Sequence, residues 1–67
     1  MGDQLVSRLR EERTRQNLTQ GQLAELVGVS RKTINTVENG VFVPSIMLSL
    51  RLAKALGTTV EELFQLP

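Results

Sequence analysis

The chain is 67 residues long, which leaves room for one domain and no second, because chains of this size bury only about 60% of their unfolded surface. It has no cysteine and no histidine, so a disulfide framework, the common zinc-finger spacings and a Cys or His nucleophile are excluded together. A net charge of +1 argues only weakly for a polyanionic partner, and the distribution of charge must carry that case.

The cysteine-free composition fits a reducing cytoplasm, and the sequence shows neither a charged-then-apolar leader nor an apolar run of membrane-spanning length. The expectation is a soluble, cytoplasmic protein with no membrane partner. In chain order, Leu5 and Leu9 recur at a four-residue step among charged residues, predicting an amphipathic first helix from Gln4 to Gln16 that ends near Asn17. Thr19 with Gln22 forms a capping box for a second helix. That helix aligns Leu23, Ala24 and Val27 on one face and stops at Gly28. Ser30 caps a third helix, Arg31 to Asn39, with Ile34 and Val37 inward and a stop at Gly40. Residues 41–44 are the one real loop. Ser45 caps a fourth helix with Ile46, Leu50, Ala53 and Leu56 inward, closed by Gly57. Thr59 and Glu62 make a second capping box for a short fifth helix containing Val60, Leu63 and Phe64. No strand alternation persists and there is no internal repeat, so the fold class is all-α, a single five-helix domain over 1–67.

Helices two and three are joined by only a few residues around Gly28, so the chain must reverse within a turn best served by a left-handed backbone. Ala24 is small enough to let the second helix approach the third. Leu23, Ala24, Val27, Gly28, Val29, Ile34 and Val37 together have the spacing of a DNA-binding helix-turn-helix, about 19–39. The chain resembles the phage-repressor and Cro family, also called the xenobiotic-response-element family, in its short form without a sensor domain. The stretches Leu18-Thr19-Gln20, Val29-Ser30-Arg31-Lys32-Thr33-Ile34, Glu38-Asn39-Gly40, Pro44-Ser45 and Ala53-Lys54-Ala55-Leu56-Gly57 carry the resemblance in order. It implies a compact lambda-repressor-like bundle, commonly dimeric, that grips double-stranded DNA with its third helix.

The residues of that helix suit the role. At about 100° per residue, Lys32, Thr36 and Asn39 lie opposite Ile34, with Asn35 on the flank, and the outward face carries no carboxylate to repel phosphates. Arg31 and Lys32, in the first turn, can donate to guanine acceptors in the major groove, so Arg31, Lys32, Asn35 and Thr36 are the candidate base readers. Gln20, at the start of helix two, is expected to hold a phosphate, and in the family the matching glutamine often also braces the recognition helix. Asn39 and the Gly40 backbone N–H would do the same at the far end, with Thr33 and Ser30 contributing, Ser30 mainly as a cap. Arg13 continues the inward row of Leu5 and Leu9, and Glu38 lies about 40° from Ile34, so an Arg13 to Glu38 ion pair is expected to fasten helix one to helix three, as the family's matching pair does.

Arg8, Arg10 and Arg15 alternate with Glu11 and Glu12 and read as a solvated, salt-bridged face. Val43, Met47, Leu48, Phe64 and Leu66 are candidates for an apolar pairing surface. A homodimer through helix five and the C-terminal tail would place two recognition helices about 34 Å apart on a pseudo-palindromic operator. The adjacent carboxylates Glu11–Glu12 and Glu61–Glu62 point in different directions on their helices, which disfavours acid–base catalysis. No enzyme activity, metal, cofactor or small-molecule ligand is expected. The sequence reads as a transcriptional regulator, most simply a repressor. The competing reading is an antitoxin or other protein-interaction module on the same fold.

Overall fold

Four hydroxyl caps set the helix starts. In the computed structural model, which describes residues 5–67, the elements are β1 (Val6–Ser7), α1 (Leu9–Arg15), α2 (Gln20–Val27), α3 (Arg31–Glu38), α4 (Ile46–Leu56), α5 (Val60–Leu63) and β2 (Phe64–Gln65). The side chain of Thr19 accepts from Gln22 N–H while the Gln22 side chain returns the bond, completing the capping box of α2. Ser30, Ser45 and Thr59 accept from the third helical N–H of α3, α4 and α5 in the same way. Each cap satisfies a donor that the helix itself leaves open, worth about 1 kcal/mol.

The turn between α2 and α3 is carried by Gly28, at φ 76° and ψ 34°. A Cβ built there would meet nothing within 4 Å, so glycine is required by the left-handed backbone and not by crowding. Asn17, at φ 60°, ends α1 in the same backbone region, which asparagine tolerates better than most residues. One core joins all five helices: Leu9 of α1, Leu23, Ala24 and Val27 of α2, Ile34 and Val37 of α3, and Leu63 of α5 are buried around α4. Gln16 Nε2 donates to Leu56 O at 2.7 Å, so the end of α1 also closes the end of α4.

Three features differ from the sequence reading. The first helix begins at Leu9, and Gln4, its expected start, lies outside the described residues; Leu5 to Arg8 precede α1, and Val6–Ser7 pair antiparallel with Phe64–Gln65, Val6 opposite Gln65 and Ser7 opposite Phe64. The fold is therefore mostly helical with a two-stranded ladder, and Arg8 N–H donates to Leu63 O at 2.8 Å beside it. Strands of two residues are too short to show alternation, and the four-residue step from Leu5 to Leu9 imitates a helix. The second difference follows from the ladder. Phe64 belongs to β2, not to α5, and packs half-buried against the core, so it does not offer a free pairing surface.

The third is the phase of α4. Leu48, Ser49, Leu52, Ala53 and Leu56 face inward, whereas Ile46 is 80% and Leu50 55% exposed. Leu48, at 8% exposure, is thus core and not pairing surface. The inward face sits about 70° around the helix from the predicted one. Two apolar rows compete on α4, and only the charges of Arg51 and Lys54 mark the outer side.

Candidate nucleic-acid interface

The outward face of α3 is polar. Ser30, Arg31, Lys32, Asn35, Asn39 and Gly40 are exposed, Thr33 and Thr36 are half-buried, and Ile34 and Val37 anchor the helix from beneath. The one carboxylate of the helix, Glu38, has its side chain fully withdrawn from solvent. The face left to the exterior therefore offers two cations and carboxamides with no acidic group among them.

Glu38 is the centre of a hydrogen-bonded cluster that joins three helices. Arg13 Nε donates to Oε2 and Arg13 Nη2 to Oε1 at 3.2 Å, a two-point pairing, while Arg13 Nη1 donates to Leu18 O at 2.8 Å. Gln20 Nε2 donates to Glu38 Oε1 at 3.0 Å, and Arg10 Nε reaches the same oxygen at 3.4 Å. Burial by itself would raise the Glu38 carboxyl, but the hydrogen bonds from Arg13, Gln20 and Arg10 and the Arg13 charge outweigh it and hold the group below the usual 4.5. Arg13 and Glu38 thus meet between α1 and α3, and no buried side-chain polar atom among the described residues lacks a partner.

Arg10 is the residue that sequence reasoning misplaced. Apart from Arg13, the neighbouring charges pair locally, Arg8 with Glu11 at 3.5 Å and Arg15 with Glu12 at 2.7 Å. The Arg15 guanidinium is held above its ordinary value, first by the hydrogen bond it donates to Glu12. Arg10 instead crosses to α3, where Nη2 donates to Asn39 Oδ1 at 2.6 Å. Its position three residues before Arg13, on the same side of α1, was the available signal.

The predicted positioning groups are partly committed elsewhere. Gln20 braces α3: beside its bond to Glu38, its Oε1 accepts from Arg31 Nε at 3.4 Å. Ser30 Oγ accepts from Thr33 N–H at 3.1 Å and lies 3.0 Å from Thr33 Oγ1, so the two hydroxyls share one bond. Thr36 Oγ1 donates to Thr33 O at 2.9 Å, turning back on its own helix. The Gly40 N–H, expected to stand open, instead donates to Val37 O at 3.2 Å as α3 closes. Asn39 bridges Arg10 to Asn35, donating from Nδ2 to Asn35 Oδ1 at 3.3 Å.

Two shallow concavities lie side by side on this surface. Gln20, Arg31, Lys32 and Asn35 line one, and Arg13, Thr19, Gln20, Gly21 and Arg31 line the other, at the N-terminus of α2 where the first backbone N–H groups have no helical acceptor. A cationic rim around open N–H groups suits an anion, and an adjoining donor-rich face suits base edges. On a separate side, Val43, Ile46, Met47 and Leu50 are exposed together, as is Leu66 near the chain's end.

The sequence model of the helix-turn-helix family matches residues 9–63. The chain is 48% identical over 57 residues to an uncharacterized HTH-type transcriptional regulator of Methanothermobacter thermautotrophicus, covering 84% of this chain and 83% of that one. Among solved structures, the restriction-modification controller protein C.AhdI from Aeromonas hydrophila is similar with a TM-score of 0.78 and 42% identity over 82% of this chain and 83% of that one. The P22 c2 repressor in complex with a synthetic operator gives a TM-score of 0.78 at 31% identity, covering 81% of this chain and 82% of the repressor.

Proposed function

This chain belongs to the helix-turn-helix family, and from that premise we propose that it is a sequence-specific regulator of transcription that lays α3 in the major groove of double-stranded DNA. The observation that carries the reading is the exposed face of α3: donors project from it while its only carboxylate is buried behind it. Arg31, Lys32 and Asn35 read base edges. Thr36, with its hydroxyl turned to its own helix, contributes less. The start of α2 holds a phosphate through the open N–H groups of Gln20 and Gly21, with Arg31 and Arg13 beside them. Gln20 then acts chiefly as the brace between that phosphate and Arg31, and Asn39 closes the far end of the contact.

Repression by occupying a promoter is the simplest outcome for such a module in a cytoplasm where it meets the nucleoid directly. We propose that it works as a homodimer on a pseudo-palindromic operator, pairing through the exposed side of α4 and the preceding loop, where Val43, Ile46, Met47 and Leu50 stand out. The uncovered apolar groups support that surface over the C-terminal tail, since β2 is already engaged with β1. The competing role as a protein-interaction module is not favoured, because the curated relative over most of this chain is named for transcriptional regulation.

Selection of binding sites from a random duplex library tests the reading directly. An enriched two-fold-related site is expected, bound with an affinity that falls steeply with added salt as phosphates are neutralised. No enrichment even in dilute buffer removes the proposal.

A further inference from the structure

We propose that Arg10, acting through Asn39, fixes which end of the Asn35 carboxamide faces the groove, making Asn35 a one-way hydrogen-bond donor and giving the chain a preference at one base pair that Arg10 never touches. The inference rests on α3 being the DNA-reading helix, as argued above. It starts from the chain of bonds Arg10 Nη2 to Asn39 Oδ1, at 2.6 Å, and Asn39 Nδ2 to Asn35 Oδ1, at 3.3 Å.

The direction of this chain follows from what each group can do. A guanidinium only donates, so Asn39 must present its oxygen to Arg10. Its amide nitrogen, which also only donates, is then turned to Asn35, and Asn35 must answer with its own oxygen. That leaves the Asn35 NH2 directed away from the pair. The start of the relay is itself anchored, because Arg10 Nε is held at 3.4 Å by the buried Glu38 carboxylate although more than half of the arginine side chain is exposed. Asn35 lies exposed in the concavity it shares with Gln20, Arg31 and Lys32, where a base edge would enter.

A carboxamide free to turn reads adenine well, donating to N7 and accepting from the exocyclic N6. With Oδ1 turned toward Asn39, the carboxamide cannot lay its oxygen and its nitrogen together on one adenine edge, so that two-point contact is withheld. The remaining NH2 suits edges that present acceptors, N7 and O6 of guanine or O4 of thymine, and opposes the N4 donor of cytosine. The polarity of a buried ion cluster is thereby passed outward through Arg10, Asn39 and Asn35 in turn to the surface that selects the site.

Site selection from a random duplex library with the full chain and its Asn35→Ala, Asn39→Asp and Arg10→Met variants tests this. The position whose preference disappears in Asn35→Ala should favour guanine or thymine over cytosine by about tenfold in the unaltered chain. In Asn39→Asp the new carboxylate only accepts, so Asn35 must reverse and show its oxygen; the ratio should invert toward cytosine or adenine even though the added charge weakens binding to every site. In Arg10→Met the relay is released, and the ratio should fall toward unity. Because each ratio is taken within one variant, a uniform loss of phosphate affinity divides out, and a merely structural role would leave it unmoved. Unchanged ratios in both relay variants, with Asn35→Ala still effective, overturn the relay while leaving DNA reading intact. An Asn35→Ala variant that alters no position also overturns it. Failure of the unaltered chain to enrich any site removes the DNA reading, and the relay with it.

Discussion

Two helices of this protein show a broad face to the exterior, and they are held in different ways. On α3, Arg31 and Asn35 are each the end of a hydrogen-bonded path that begins at the buried Glu38, one through Gln20 and the other through Arg10 and Asn39. On α4, Ile46, Met47 and Leu50 are exposed apolar groups with no comparable tether. The difference teaches that order on a surface can be imposed from the core. Side chains joined to a buried charge lose rotamer freedom on folding, before any partner arrives, and a partner that meets them has less entropy to remove.

The sharpest way to break the contrast is to remove its source. Glu38→Ala strands Arg13 without its partner inside the fold and should lower the stability by about 3–5 kcal/mol, read as a fall in the thermal midpoint. An unchanged midpoint would show that the cluster is ornamental. The same interaction has a pH signature. Because the folded carboxyl lies below the usual 4.5, its contribution is complete above that value and is lost as pH falls through the depressed folded value. The stability gap between the unaltered chain and Glu38→Ala should therefore be widest near neutral pH and narrow in acid well below 4.5; a gap that widens on acidification contradicts the assignment.

Next in size is the proposed base reader. Arg31→Ala should cost about 1–3 kcal/mol of discrimination at the base pair it contacts, measured as the ratio of affinities for the selected site and for single-base variants. Gln20→Ala should weaken all sites more evenly and loosen Arg31 as well. Gly28→Ala should reduce stability by about 1–2 kcal/mol in chemical denaturation, since the added methyl meets open space and only the left-handed backbone resists it. The smallest effect belongs to α4. Met47→Ser should change monomer stability by no more than about 0.5 kcal/mol, yet weaken self-association in sedimentation equilibrium. A large loss of monomer stability would mean that the α4 face is tied into the fold after all.

The helix-turn-helix was plain in the sequence because its requirements are local. A hydroxyl cap at Thr19 and at Ser30, a left-handed glycine between them and apolar residues at helical spacing each follow from neighbouring residues. The Arg13 to Glu38 meeting was legible from phase on α3, where Glu38 lies beside the inward Ile34 and Val37, and on α1 from Leu9 alone, since Leu5 precedes the helix. What the sequence concealed was set by distant parts of the chain. The phase of α4 depends on which of two apolar rows the other helices cover, and the ladder of Val6–Ser7 with Phe64–Gln65 needs both ends of the domain at once. Arg10 was hidden because it was grouped with the solvated charges around it, although Glu11 and Glu12, one and two residues on, do not face it on a helix and leave it free for Glu38 and Asn39. The commitment of the Gly40 N–H to Val37 O follows from how α3 closes, which composition does not reveal.

The β1–β2 ladder has a practical corollary. Since it sets Val6 beside Gln65, the folded stretch between them is nearly a closed ring, and the order of its elements can be rearranged without rerouting the core. A short Gly/Ser bridge across that seam, with new ends cut into the exposed stretch at 41–43 between the recognition helix and α4, would give a circular permutant in which α1, α2 and α3 stay contiguous. Such a chain would carry any fused cargo at the rim of α3, and not beside the ladder.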